Sequence, residues 1–229
     1  MVQQRMALAI LAVCILAVGC VRDEAGMSPS STAEAETRIA LPSPQTDGEL
    51  SLEEALARRR SLRELSDEEL SQAEIGQLLW AGQGVTDEQG RRTAPSAGAL
   101  YPLELYAVTP KGVYHYLPDD HAIELIAEGD ARPRLRAAAY AQAPVGEAPL
   151  VVVVAAVPAR TEEKYGPERA TRYVQLEAGH AAQNMLLQAA ALGLGGVPIG
   201  AFADAAVADV VGLSEGELPL YLIPIGHPR

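Results

Sequence analysis

The run Leu150-Val151-Val152-Val153-Val154-Ala155-Ala156-Val157 is apolar at every position and dominated by a β-branched side chain. A strand with one wet face alternates apolar and polar residues. This run does not alternate, so it reads as a central strand buried on both faces. A chain that contains it needs neighbouring strands on either side and helices above and below. Leu103 to Thr109 alternates like a strand, Pro110-Lys111-Gly112 is a turn, and Val113 to Leu117 returns. Ala122 to Ile126 reads as a third strand of this group and Leu218 to Ile225 as the last strand of the chain. The pairs Ser51…Glu54 and Ser71…Glu74 are capping boxes that open two helices, the first ending in Arg58-Arg59-Arg60. Ala131 to Ala141, Glu168 to Leu192 and Asp204 to Val211 read as further helices, the last capped by Asp204, and Glu168 to Leu192 is long and alanine-rich. Strands and helices mix without regular βαβ alternation, so the expectation is an α+β fold with a mixed central sheet flanked by helices.

The N-terminus has the pattern of a targeting segment. Arg5 precedes a stretch, Met6 to Val18, that is apolar but too short for a comfortable membrane span. Leu16-Ala17-Val18-Gly19-Cys20 then resembles a bacterial lipobox, with the Cys20 thiol as the lipidation site. An ordinary signal peptide with a chance cysteine is the simpler alternative. The expected organisation is a lipoprotein signal peptide over residues 1–20, a disordered linker over 21–48 and one folded domain over 49–229. Acyl chains on Cys20 would anchor the domain to the bacterial cell envelope, on a periplasmic or outer face.

The other cysteine, Cys14, lies inside the apolar stretch, so the mature domain is expected to contain neither a disulfide nor a thiol nucleophile. A formal net charge of −12 argues against nucleic acid as a partner, because a duplex binder needs cations to displace counterions.

Four segments carry chemistry. Arg59, Arg60 and Arg63 surround Ser61 at a helix end, where guanidinium groups and a hydroxyl can hold a phosphate monoester. A solvated cationic helix end is the plain alternative. Pro95-Ser96-Ala97-Gly98-Ala99-Leu100-Tyr101-Pro102 is small, proline-bounded and uncharged, and lets backbone approach a flat ligand. Lys164-Tyr165 lies in what reads as a polar loop, where an exposed pair is the default expectation. Gly193 to Gly200 is glycine-rich but follows a helix, unlike a dinucleotide-binding turn, and a simple helix C-cap is its alternative. Glu177, His180 and Asn184 share a helix face. No second Glu-x-x-His accompanies them, so a metal site is not expected, and a buried polar row at a subunit contact is the preferred reading.

In this order along the chain, these segments resemble the FMN-binding nitroreductase family. Within it they resemble the SagB-type (thiazole/oxazole-forming) dehydrogenase branch, over about Leu50 to Arg229. The resemblance implies a homodimer paired through the long helix, with FMN shared between subunits. It implies that Arg59, Arg60, Ser61 and Arg63 grip the FMN phosphate and ribityl chain. Pro95, Ser96, Ala97, Gly98, Ala99 and Leu100 would pass along the flavin ring, through backbone groups because Ala99 stands where relatives often have Asn. Pro198, Ile199, Gly200 and Ala201 would lie against the isoalloxazine, with a backbone N–H directed at flavin N5. Arg229 or His227 would substitute for the basic C-terminal residues of relatives. Lys164 as general base and Tyr165 as proton relay would be catalytic, taking a proton from a small or peptide-derived substrate as hydride passes to FMN. Two other readings stand beside this one: an NAD(P)H-dependent nitro or quinone reductase, and a non-catalytic flavin-binding or scaffold lipoprotein.

Overall fold

The computed structural model describes residues 37–229. The expected signal peptide, Cys20 and the first part of the expected linker lie outside the described residues. Seven strands form one sheet: β1 (Arg38–Ala40), β2 (Leu103–Val108), β3 (Gly112–Leu117), β4 (Ala122–Glu128), β5 (Leu150–Ala156), β6 (Gly195–Gly196) and β7 (Leu218–Gly226), in the order β1-β4-β3-β2-β5-β7-β6. The helices are α1 (Leu52–Arg58), α2 (Gln72–Gln83), α3 (Arg132–Ala138), α4 (Ala143–Glu147), α5 (Ala159–Tyr165), α6 (Pro167–Ala191) and α7 (Asp204–Val211).

The valine run is β5, and every one of its residues is buried. Val152, Val154 and Ala156 join one core cluster, with Leu78, Leu79 and Met185 from α2 and α6. Val151, Val153 and Ala155 join the other, with Leu135, Val207 and Val211 from α3 and α7. A single strand thus anchors both cores, and each fully buried valine contributes roughly 1.5–3 kcal/mol. The paired strands of the sheet all run antiparallel, so the mixed character expected from the sequence shrinks to an isolated parallel bridge between Ser61 and Gly196.

Both capping boxes form as the sequence dictates: the Ser51 and Ser71 hydroxyls accept from the Glu54 and Glu74 backbone N–H groups, and each Glu reaches back to its serine's N–H. Four expectations are corrected. Regular structure is present before residue 49: Arg38–Ala40, inside the expected linker, pairs with Ala122–Glu124 of β4, and the Arg38 guanidinium bonds Asp120. The pairing is reinforced by apolar contact: Leu41 is buried in the core cluster and Ile39 packs against it. Asp204 is the first helical residue of α7 rather than its cap, which is Ala203. The helix expected over Ala131–Ala141 stops at Ala138, because Tyr140 and Ala141 take left-handed φ values of 54° and 60°. Lys164 and Tyr165 are not in a loop but form the last turn of α5, and Gly166, at φ 76°, redirects the chain from α5 into α6.

Candidate active site

Two clusters of side chains form at different points along α6. The first gathers at its C-terminal end. Gly193 takes a left-handed φ of 73° just past the helix, and the Leu194 N–H returns to the Ala189 carbonyl, closing the last turn. The chain then enters β6, where the Gly196 carbonyl accepts from the Leu62 N–H at 3.0 Å. A Cβ on Gly195 would meet Leu62 at 2.7 Å, so glycine is what lets the 59–63 arm lie against this edge. The C-terminus holds the other side of the arm: the Ser66 N–H donates to His227 O and the Arg229 N–H to Glu64 O. Arg58, Arg59, Arg60 and Leu62 thereby line a groove of about 170 Å³ with Ala190 and Gly196.

Within this cluster the cations are not equivalent. The Arg60 guanidinium donates to the carbonyls of Ala57 and Arg59, closing its own helix end. Arg59 is half-buried, while Ser61 and Arg63 are exposed. The Arg229 guanidinium lies 3.5 Å from Glu147, drawing it away from the groove. Of the four residues expected beside the flavin ring, Pro198 has no N–H, and the Ile199 N–H donates to Leu222 O at 2.8 Å. A free backbone donor at that position therefore falls to Gly200 or Ala201, both exposed.

The second cluster surrounds the 95–102 loop. Gly98, Ala99 and Tyr101 have φ values of 66°, 54° and 45°. Two non-glycine residues in the left-handed region cost roughly 1–2 kcal/mol each, and the loop is held there from several sides. The Ser96 hydroxyl accepts from the Tyr101 N–H at 2.9 Å, Arg160 donates to Tyr101 O at 3.1 Å, and Arg92 lies over the Tyr101 ring. Pro102 O accepts from Val157 N–H, tying the loop to the end of the central strand. Lys164 and Tyr165 meet this loop at Gly98: a Cβ there would stand 2.8 Å from the Tyr165 hydroxyl and 2.9 Å from Lys164 Nζ. Tyr165 is held edge-on by Tyr173 of α6, with ring centroids 5.1 Å apart.

Glu177 lies one turn beyond Tyr173. Its side chain is 2% exposed and its Oε1 has no hydrogen-bond partner. Burial pushes its pKa up to about 7, against the opposing pull of the Ser96 hydroxyl and the Arg92 guanidinium. The three members of the expected polar row differ in burial within a single protomer. Glu177 is interior, His180 is exposed, and Asn184 is half-buried with its amide donating to Thr93 O. Sequence reasoning also missed Arg92 and the network beside it, in which Glu104 binds His115 at 2.8 Å and Arg160 at 2.6 Å. Burial raises the Glu104 pKa, but the His115 and Arg160 bonds outweigh it and hold the carboxyl below its usual range. Arg92 is half of the pair Arg91-Arg92 and Arg160 stands alone, and neither falls in a recognisable motif.

Another cleft, of about 610 Å³, lies elsewhere, between residues 45–52, α2 and α6. Its lining includes Asp47 and Glu49 but no cation, whereas the smaller groove is lined by Arg58, Arg59 and Arg60.

The class is therefore an α+β protein whose central antiparallel sheet positions a cationic groove and a strained, small-residue loop along one long helix. The sequence model of the nitroreductase family matches residues 56–227, and the chain belongs to that family of flavin oxidoreductases. It is 42% identical over 185 residues to a protein of Methanocaldococcus jannaschii named as a nitroreductase, covering 78% of this chain and 92% of that one. The crystal structure of a protein from Ralstonia eutropha, also named as a nitroreductase, superposes with a TM-score of 0.76 at 31% identity, over 85% of this chain and 91% of that chain. The NADPH:FMN oxidoreductase of Vibrio harveyi, solved with NAD+, shares the fold at a TM-score of 0.59 and 24% identity, over 78% and 69% of the two chains.

Proposed function

We propose that the chain is an FMN-dependent dehydrogenase of the SagB type, working as a homodimer and anchored to the envelope through lipidated Cys20. The observation that carries this reading is the meeting of Lys164 Nζ and the Tyr165 hydroxyl at Gly98 of the 95–102 loop. A proton acceptor and a hydroxyl relay stand where a flat ring could rest on small residues.

The residues fit FMN. Arg59, Arg63 and the Ser61 hydroxyl offer a phosphate both charge and hydrogen bonds. The exposed backbone of Pro95, Gly98 and Ala99 offers a ring a surface without bulky side chains. From Glu177, beside the loop, to Ala190, beside the arginine groove, is about 20 Å of helix axis at 1.5 Å per residue. One copy therefore sets its two clusters far apart, and in the proposed dimer a two-fold pairing of α6 helices would bring the groove of one protomer to the loop of its partner. Leu52 and Leu56, one turn apart on α1 and both more than half exposed, and Leu176 on α6 supply apolar surface for such a contact.

When bound, FMN supplies a two-electron acceptor for hydride. Loss of hydride from an azoline-like ring leaves a proton to be removed, and Lys164 and Tyr165 take it. Lys164 is exposed in a single protomer. Purified protein mixed with FMN and desalted is expected to keep the flavin absorption bands. Lys164→Ala with Tyr165→Phe is expected to retain FMN and lose oxidation of azoline substrates; unchanged turnover would sink the dehydrogenase mechanism.

The second reading, a nicotinamide-dependent nitro or quinone reductase, draws on the name of the 42%-identical relative. Rapid bleaching of the bound flavin by NADH or NADPH would favour it.

A further inference from the structure

We infer that Glu177 is a positioning residue that holds a proton beneath the 95–102 loop while FMN lies against that loop, so that FMN binding near neutral pH takes a proton up from solvent. The inference rests on the FMN reading above.

The geometry is that of a carboxyl sealed under a ligand-facing loop. Glu177 is 2% exposed, and its Oε1 is buried without a partner. Above it, the Ser96 hydroxyl accepts from the Tyr101 N–H, so Ser96 links the carboxyl to a loop bent through three left-handed residues. The charged and titratable groups around it are few. Arg92, preceding the loop, donates to the buried Gln83 Oε1 and stacks on Tyr101, so its guanidinium is shared. Lys164 and Tyr165 of α5 reach Gly98 on the exposed side of the loop. Tyr173, on α6 itself, turns to Tyr165, and His180 on α6 is exposed. No cation makes a direct ion pair with Glu177 among the described residues.

The pKa of about 7 in the free protein is set mainly by burial. A ring seated on the loop would cover its exposed residues Gly98 and Ala99, and this added desolvation disfavours the carboxylate further. The bound protein then holds more protons at Glu177 than the free protein at the same pH, and affinity is linked to pH by that difference. FMN affinity is expected to fall as pH rises above about 7, by up to tenfold per pH unit. A phosphate monoester has its second pKa near 6, so at pH 8 FMN itself is a dianion and contributes little to the proton count.

The test is calorimetric titration of FMN into the purified dimer at pH 8, in HEPES and in Tris, whose ionisation heats differ. Wild type is expected to take up a substantial fraction of a proton per FMN. Glu177→Gln, which keeps the neutral shape, is expected to bind FMN with an uptake near zero and with affinity independent of pH from 7 to 9. Lys164→Met with Tyr165→Phe is expected to retain the uptake, which assigns it to Glu177. Equal uptake in wild type and Glu177→Gln, or FMN binding by wild type without uptake, would overturn the inference while leaving the cofactor reading intact. The wild-type affinity profile alone decides the matter if Glu177→Gln does not fold. Absence of FMN binding at pH 6 would overturn both readings.

Discussion

A methyl group on Gly98 would stand 2.9 Å from the Lys164 ammonium nitrogen, closer than any ordinary Cβ contact. Gly98 also has a φ of 66°, so replacement by Ala has two separable costs. The backbone strain is roughly 1–2 kcal/mol, a fall of several degrees in Tm. The steric cost falls on the ends of flexible side chains, which move away from the loop. Gly98→Ala is expected to fold, keep FMN, and lose at least tenfold in kcat for azoline oxidation. Thermal melts and steady-state kinetics on the same preparation separate the two costs.

The arginines of the 59–63 arm are expected to behave differently from one another. Arg60 is engaged with the carbonyls of Ala57 and Arg59, whereas Arg59 and Arg63 make no such bond. Arg59→Ala and Arg63→Ala are each expected to weaken FMN by tenfold or more while leaving riboflavin, which lacks the phosphate, nearly unaffected. Arg60→Ala is expected to cost helix-end stability, under about 1 kcal/mol, with little effect on either ligand. Fluorescence titration with FMN and riboflavin measures the contrast.

How far the sequence reveals this arrangement differs from element to element. The β5 strand, the two capping boxes and α6 are legible because each is written locally, in periodicity or in a cap. The 59–63 arm and the 95–102 loop are legible as compositions, and the resemblance orders them. Glu177 under Ser96 is not legible, since it depends on where a loop some eighty positions upstream settles. Nor is Arg160 on Glu104, because a single arginine near a helix start looks like any surface cation. Lys164 was misread as lying in a loop because Gly166 and Pro167 punctuate the chain there, although the punctuation separates two helices.

Glu177 also makes stability depend on pH in a definite direction. Its carboxyl has an ordinary value of 4.5 and is raised by burial to about 7 in the folded chain. Between these values the folded state holds the proton that the unfolded state has lost, so this group's contribution declines as pH rises from about 4.5 to 7 and is constant above. The decline is at most ~3 kcal/mol at 1.36 kcal/mol per pKa unit. Glu104, held below its usual range by His115 and Arg160, acts oppositely: its contribution is present above about 4.5 and is lost as pH falls through its lower folded value. Urea midpoints in wild type and Glu177→Gln are expected to diverge progressively from pH 5 to 7, with the variant the more stable at pH 7.5.

A site shared between protomers permits complementation. Let one variant carry Arg59→Ala and Arg63→Ala, and the other Lys164→Ala and Tyr165→Phe. Each homodimer is expected to be inactive, the first for want of a phosphate grip and the second for want of a proton acceptor. In the heterodimer, the arm of the second variant meets the loop of the first, and one intact site forms beside one doubly defective site. Random pairing at equal amounts makes about half of the dimers mixed, so co-expression is expected to restore about a quarter of wild-type turnover. Were both clusters to serve one FMN within a single chain, mixing would restore nothing. The 20 Å of helix between Glu177 and Ala190 favours the shared arrangement, and the activity of the mixed dimer measures it directly.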